Sequence, residues 1–228
     1  LDDLKPFNPR EKVIEYLLED AEKKQKLIDL TVKEFADETS RESPAPGGGT
    51  ISAYMGALGA ALGTMVANLS SHKAGWDARW EEFSNWANKG QAIQSELMVL
   101  VDEDTEAFNR IMSAFGLPKE SAEEKTARSM AIQEATLFAT EVPLHTMQAS
   151  YKVFELCRAM AEEGNPNSVS DAGVGVLAAR AAVLGAGLNV KINASGLKDK
   201  QKAEQLVSEA NILINKANEA EKEIMKIV

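Results

Sequence analysis

The sequence predicts an all-α bundle, and three observations lead there. Apolar residues recur with the 3.6-residue period of a helix, and no stretch sustains the two-residue alternation of a strand. The seven prolines (Pro6, Pro9, Pro44, Pro46, Pro118, Pro143, Pro166) fall at breaks between periodic segments. Two capping-box patterns, Thr31 with Glu34 and Ser121 with Glu124, mark helix starts. A chain of 228 residues fits a single domain that buries about 70% of its unfolded surface.

Each element follows in order. Asn8 and Pro9 read as the cap and first turn of a helix through Val13, Ile14, Leu17 and Leu18, preceded by an extended Leu1–Phe7. Residues 1–20 are therefore assigned to a linker and N-terminal helix, and 21–228 to the main domain. The Thr31 box starts a short helix ending near Ser40. Longer patterns run from about Trp76 to Phe115, from Ala122 to about Glu163 with a kink or break at Pro143, from Asp171 to about Asn193, and from Lys198 onward. Two stretches stand apart: no Asp, Glu, Lys or Arg lies between Ser43 and His72, and Ala172–Val190 carries only Arg180. Ile51–Leu69 is nearly long enough to cross a bilayer, but 8 of its 19 residues are Gly or Ala, which makes a poor span and a good close-packing helix. Gly56, Gly59 and Gly63 on one helix, and Gly173, Gly175, Gly185 and Gly187 on the other, would let backbones approach within one subunit or across a symmetric dimer. The expected picture is two small-residue helices at the centre, wrapped by longer amphipathic ones.

Composition removes several function classes. With 25 basic and 35 acidic side chains the net charge is −10, which argues against a nucleic-acid binder. One cysteine, Cys157, rules out an internal disulfide framework, and with two histidines cannot build an ordinary structural zinc site. A reducing, cytoplasmic setting is expected, with no membrane span and no secretory signal at Leu1. The absence of an initiating methionine suggests an excerpt from a longer chain.

Three places could hold chemistry. Ser43-Pro-Ala-Pro-Gly-Gly-Gly-Thr50 precedes a small-residue helix, so Gly47, Gly48 and Gly49 could turn their N–H groups toward an anion or carbonyl at the positive end of the helix dipole. The competing reading is a tight turn where only glycine fits. In the acidic run Val101–Phe108, helical angles separate the carboxylates. Leu97, Leu100, Val101, Phe108, Ile111 and Phe115 lie within about 60° of Asp104, whereas Asp102 and Glu106 lie about 160° away. A carboxylate on the apolar face is hydrogen-bonded, paired or used, and desolvation raises its pKa toward values suited to proton transfer. Asn189 and Asn193 share a helix face and could meet an amide-rich ring, or simply end the helix before Gly196. Ser170 and Asp171 could cap a helix or touch whatever the glycines hold. Lys125 and Arg128 are candidates for an anionic substrate tail. His72 and His145 lack a nucleophile motif, Cys157 reads as a small hydrophobe, and Trp76, Trp80 and Phe83 form a stripe for core or dimer contact.

Ser43–Leu69, running from the glycine loop into Gly-Ala-Leu-Gly-Ala-Ala-Leu-Gly-Thr-Met-Val-Ala-Asn-Leu, resembles the signature of the formiminotetrahydrofolate cyclodeaminase and methenyltetrahydrofolate cyclohydrolase family. Leu100–Phe108, Glu123–Lys125, Ala131–Glu134, Val142-Pro143, Gly164-Asn165, Ser170-Asp171 and Leu188–Asn193 resemble its further blocks in order, from roughly Leu30 to Gly196. The resemblance implies a dimerising helical bundle that binds folate near its subunit interface and uses no metal or redox cofactor. It implies cyclisation of 5-formiminotetrahydrofolate to 5,10-methenyltetrahydrofolate with release of ammonia, and Asp104 matches the family's catalytic aspartate. By the same resemblance Gly47–Gly49, Ser170, Asp171, Asn189 and Asn193 would hold the pterin, and Lys125 with Arg128 the glutamyl carboxylates. Leu1–Tyr16 resembles the linker to a formiminotransferase domain. Thr50 stands where Ser is more usual, a change expected to be silent, and Lys191 intrudes between the asparagines. Cyclohydrolase activity, or a non-catalytic dimerisation module, are the alternatives.

Overall fold

The computed structural model describes residues 26–43 and 45–228; the expected helix and linker within residues 1–20 lie outside them. Six α-helices and no strand occur among the described residues: α1 (Val32–Thr39), α2 (Gly48–Ser71), α3 (Trp80–Phe115), α4 (Ala122–Glu163), α5 (Val169–Ala194) and α6 (Lys200–Ile224). Both predicted capping boxes form, with Thr31 and Ser121 each accepting from the backbone N–H three residues on. Asp199 caps α6 by accepting from the Lys202 N–H. Neither Ser170 nor Asp171 caps α5, which begins at Val169; both sit in its first turn.

The apolar helix α2 is the centre of the bundle and packs against α3, α4 and α5. It runs antiparallel to α5, since Gly48, Ser52 and Gly59 lie opposite Asn189, Gly185 and Gly175 in turn. The crossing is backbone on backbone. A Cβ on Gly59 would stand 2.8 Å from the Gly175 carbonyl oxygen, so the predicted small-residue contact forms inside one subunit. Buried Val66, Leu97, Val101, Met147, Val153, Val176 and Val183 fill the space around it. Cys157 lies among them as a small hydrophobe, its thiol pushed up to about 12 by burial.

The structure narrows two expectations. The bundle does not wrap its central helices on all sides. Leu58, Met65 and Leu69 of α2, and Val174, Leu177, Leu188 and Ile192 of α5, remain exposed, because α3, α4 and α6 cover only the opposite faces. Both helices are long and apolar enough to cross a membrane by length and composition, yet half or more of each apolar window is buried inside the bundle. Second, Pro143 does not break α4, which continues through it to Glu163. Helix on both sides is held by neighbours: Val142, Pro143, Leu144 and Met147 are all buried. Of the aromatic stripe, Trp76 stacks on buried Phe83 at 5.5 Å, whereas Trp80 is exposed.

The α2–α5 crossing has a direct test. G59A forces a methyl against the Gly175 carbonyl and should cost about 1–3 kcal/mol by overpacking. At this chain length that lowers the melting temperature by roughly 2–10 °C, read by calorimetry; an unchanged melting temperature would refute the close approach.

Candidate active site

The site grows from the start of α2. Gly47 is its N-cap and offers no side chain to the first-turn N–H groups, so those donors need partners from elsewhere. Asp104 of α3 supplies one. Its Oδ2 accepts from the Thr50 hydroxyl at 2.8 Å, and the Thr50 backbone N–H also bonds the carboxylate. Thr50 itself is fully buried. A Cβ on Gly49 would fall 2.1 Å from Asp104 Oδ1, so the carboxylate occupies the space that any other residue's side chain would fill. At Gly49 the loop shows the second of its predicted readings. It is a place where only glycine fits, and the anion in its cradle is the chain's own carboxylate.

Asp104 lines a cavity of about 200 Å³ with Gly47, Gly48, Gly49, Phe108, Ile111, Ala139, Asn189 and Asn193. Burial raises its carboxyl above the usual range, and the two bonds from Thr50 act in the opposite sense. The rest of the acidic run does other work. Asp102 Oδ1 accepts from the Leu27 N–H at 3.0 Å, and Glu106 pairs with Arg110 on the surface. The angular separation expected from the sequence therefore holds, except that Phe115 is exposed.

The two asparagines reach the same cavity from the end of α5. Asn189 Nδ2 donates to the Gly185 carbonyl at 3.1 Å, and Asn193 Nδ2 donates to the Ala139 carbonyl at 2.6 Å. A carbonyl only accepts, so each amide is oriented with its NH₂ group on that carbonyl, one of its two N–H groups engaged, and its oxygen left as an acceptor. With Asp104, the two amides can offer acceptors to a ligand edge that carries N–H donors, beside their remaining N–H groups.

Other predicted residues lie apart. Ser170 and Asp171 sit 19 and 18 residues before Asn189 on α5, about 27–29 Å by helical rise, and are not brought to this cavity within one chain. Lys191 is exposed and faces a groove between α5 and α6. Lys125 and Arg128 line a different depression of about 290 Å³ with Lys119 and Lys198, and no acid lines it. Arg128 also donates to the Phe115 carbonyl, closing the end of α3. Both histidines are exposed. No cluster of three or more His, Cys, Asp or Glu placed to hold a metal ion occurs among the described residues. Sequence reasoning missed Thr50 as a partner of Asp104. Its position, third in a helix whose cap has no side chain, was the available signal.

The family model described as formiminotransferase-cyclodeaminase matches residues 31–212, which include every group lining the cavity. The chain belongs to the formiminotransferase-cyclodeaminase family. Among proteins of this family, the methenyltetrahydrofolate cyclohydrolase of Methylorubrum extorquens is 39% identical over 198 residues, covering 87% of this chain and 95% of that protein. The rat formimidoyltransferase-cyclodeaminase is 35% identical over 211 residues; the match takes in 91% of this chain but only 39% of the rat protein. The crystal structure of formiminotetrahydrofolate cyclodeaminase from Thermotoga maritima superposes with a TM-score of 0.74 at 26% identity, covering 88% of this chain and 98% of that one. Members of the formiminotransferase-cyclodeaminase family are folate enzymes of one-carbon chemistry, and this chain is one of them.

The opposing effects at Asp104 give a signed expectation. T50V removes the hydroxyl donor that favours the ionised form while burial remains, so the Asp104 carboxyl should titrate at higher pH than in the unaltered protein. Carbon-detected NMR titration of the carboxyl reads it; a shift to lower pH, or none, contradicts the assignment.

Proposed function

We propose that the chain is a formiminotetrahydrofolate cyclodeaminase, closing 5-formiminotetrahydrofolate to 5,10-methenyltetrahydrofolate with release of ammonia. One observation carries the reading. A carboxyl whose pKa burial raises faces a small cavity that the amides of Asn189 and Asn193 also line. At about 200 Å³ the cavity is smaller than the roughly 300–1,000 Å³ of clefts that enclose a whole drug-sized ligand. It suits one ring system, with the remainder of the folate outside.

In the proposed reaction the formimino group enters in its protonated form, N5–CH=NH₂⁺, and folate N10 attacks its carbon. The N10–C bond forms, a tetrahedral centre results, and N10 carries an extra proton. Asp104 takes that proton and delivers it to the formimino nitrogen. The carbon–nitrogen bond then breaks, ammonia leaves, and the carbon stays bridged between N5 and N10. A carboxyl raised toward neutrality serves both transfers, each worth about 10²- to 10⁴-fold. Asn189 and Asn193 accept from N–H groups of the pterin, and Gly47 and Gly48 let its edge approach the backbone.

Lys125 and Arg128, with Lys119 and Lys198, are proposed to meet the glutamyl carboxylates. Their depression lies along α4 from Ala139, with Gln133 about 9 Å and Arg128 about 16 Å away by helical rise. An aminobenzoyl ring and its amide can bridge that separation. The same reading includes a homodimer through the uncovered face of α2 and α5, where Leu188 is 69% and Ile192 70% exposed. A two-fold axis across α5 sets that helix antiparallel to its copy. That arrangement would carry the second chain's Ser170 and Asp171 toward the asparagine end. A linked transferase domain is proposed on the length of the rat relative.

Cyclohydrolase activity is the second reading, favoured by the relative that matches over nearly its full length. There water attacks the same carbon and Asp104 would take its proton. Supplying 5-formiminotetrahydrofolate and 5,10-methenyltetrahydrofolate in separate assays decides between them. Ammonia release with growth of methenyl absorbance supports the deaminase, and decay of that absorbance alone supports the cyclohydrolase.

D104N keeps an oxygen for Thr50 but carries no proton between nitrogens, so turnover should fall about 10²- to 10⁴-fold with folding intact. Near-normal ammonia release by this variant would end the proposal. L188D with I192D places two carboxylates on the uncovered face and should shift a dimer to a monomer in light scattering. Unchanged mass would move the interface elsewhere.

A further inference from the structure

Pro143 sits inside α4, where a proline removes one helical hydrogen bond and crowds the carbonyl four residues earlier. That carbonyl belongs to Ala139, which is buried and lines the cavity. A buried carbonyl deprived of its helical donor needs another. Asn193 Nδ2 provides it at 2.6 Å, the shorter of the two asparagine contacts on the cavity wall. The bond engages one of the amide's two N–H groups, fixes which way the amide faces, and leaves Oδ1 with no hydrogen bond from the described residues. Asn189 is held differently, by the Gly185 carbonyl of its own helix. Only Asn193 depends on a second helix for its orientation.

We infer that Pro143 is a positioning residue: by freeing the Ala139 carbonyl it locks the Asn193 amide with its oxygen toward the cavity, selecting a ligand edge that donates rather than accepts. A non-proline residue at 143 would return an N–H to the Ala139 carbonyl and set it in competition with the asparagine. The amide could then turn over, presenting NH₂ where the ligand also carries N–H. The proline therefore sets ligand complementarity at the expense of one helical hydrogen bond. This rests on the folate reading of the cavity.

The test is P143A, with P143S as a second variant that also restores the N–H, each assayed beside N193A. The expected result is a melting temperature no lower than that of the unaltered protein, together with a loss of about 5- to 10-fold in kcat/KM, carried mainly by KM, as for removal of one binding hydrogen bond. The double variant P143A/N193A should be no worse than N193A alone, because both act through one amide. A purely structural proline would move stability and leave KM in place. A P143A enzyme within 2-fold of normal KM, beside an impaired N193A, overturns this inference and leaves the folate reading standing. An unimpaired N193A overturns this inference as well, while the folate reading stands or falls separately with D104N. Should both proline variants fail to fold, the unaltered protein still decides: the Asn193 NH₂ protons, assigned by their loss in N193D, should exchange slowly with solvent, and fast exchange refutes the lock.

Discussion

The seat of Asp104 against the first turn of α2 is the contact on which the site depends. A carboxylate taken out of water is costly, and here the cost is offset by donors that the fold already has to satisfy. The helix lacks a capping side chain, its Thr50 N–H needs an acceptor, and the neighbouring helix supplies one. Gly49 makes the approach close enough, since a methyl at that position would overlap the carboxylate. The same group both ends α2 and faces the cavity, so the structural and chemical readings of Asp104 do not compete.

A second economy lies in α4. Proline inside a helix is normally a defect, yet the buried surroundings of Pro143 keep the helix continuous, and the carbonyl it frees is taken up by Asn193. Backbone groups left without helical partners therefore appear on two walls of the cavity, at the start of α2 and in the middle of α4. Each is answered by a side chain from another helix. Such cross-helix bonds tie the orientation of a side chain to the packing of two helices, as for Asn193, whereas Asn189 bonds within its own helix.

The small residues of α2 and α5 serve the same end at longer range. Because Gly59 and Gly175 let the backbones cross closely, the glycine loop is brought beside Asn189 at the far end of the pair. The faces that these helices leave uncovered are apolar and continuous with the cavity end of α5, through Leu188 and Ile192. In the proposed dimer a second copy would cover them, placing assembly and site on one surface.

Local sequence determined the helices, both capping boxes, the inward turn of Asp104 and the small-residue crossing, because periodicity, caps and glycine spacing are short-range signals. It also marked Asn189 and Asn193 as one face. It left a kink or a break open at Pro143, since whether a proline breaks a helix depends on what surrounds it, and it could not show that Ser170 and Asp171 lie about 27–29 Å from Asn189 along the same helix. It expected Thr50 to stand in silently for Ser, which agrees with the hydroxyl being the group that holds the part-buried carboxylate, but it did not show that partner. Only the packing of α2, α3, α4 and α5 decided which donor met which acceptor, because partners 54 residues apart leave no trace in local pattern and are chosen by burial and the need to satisfy every backbone group.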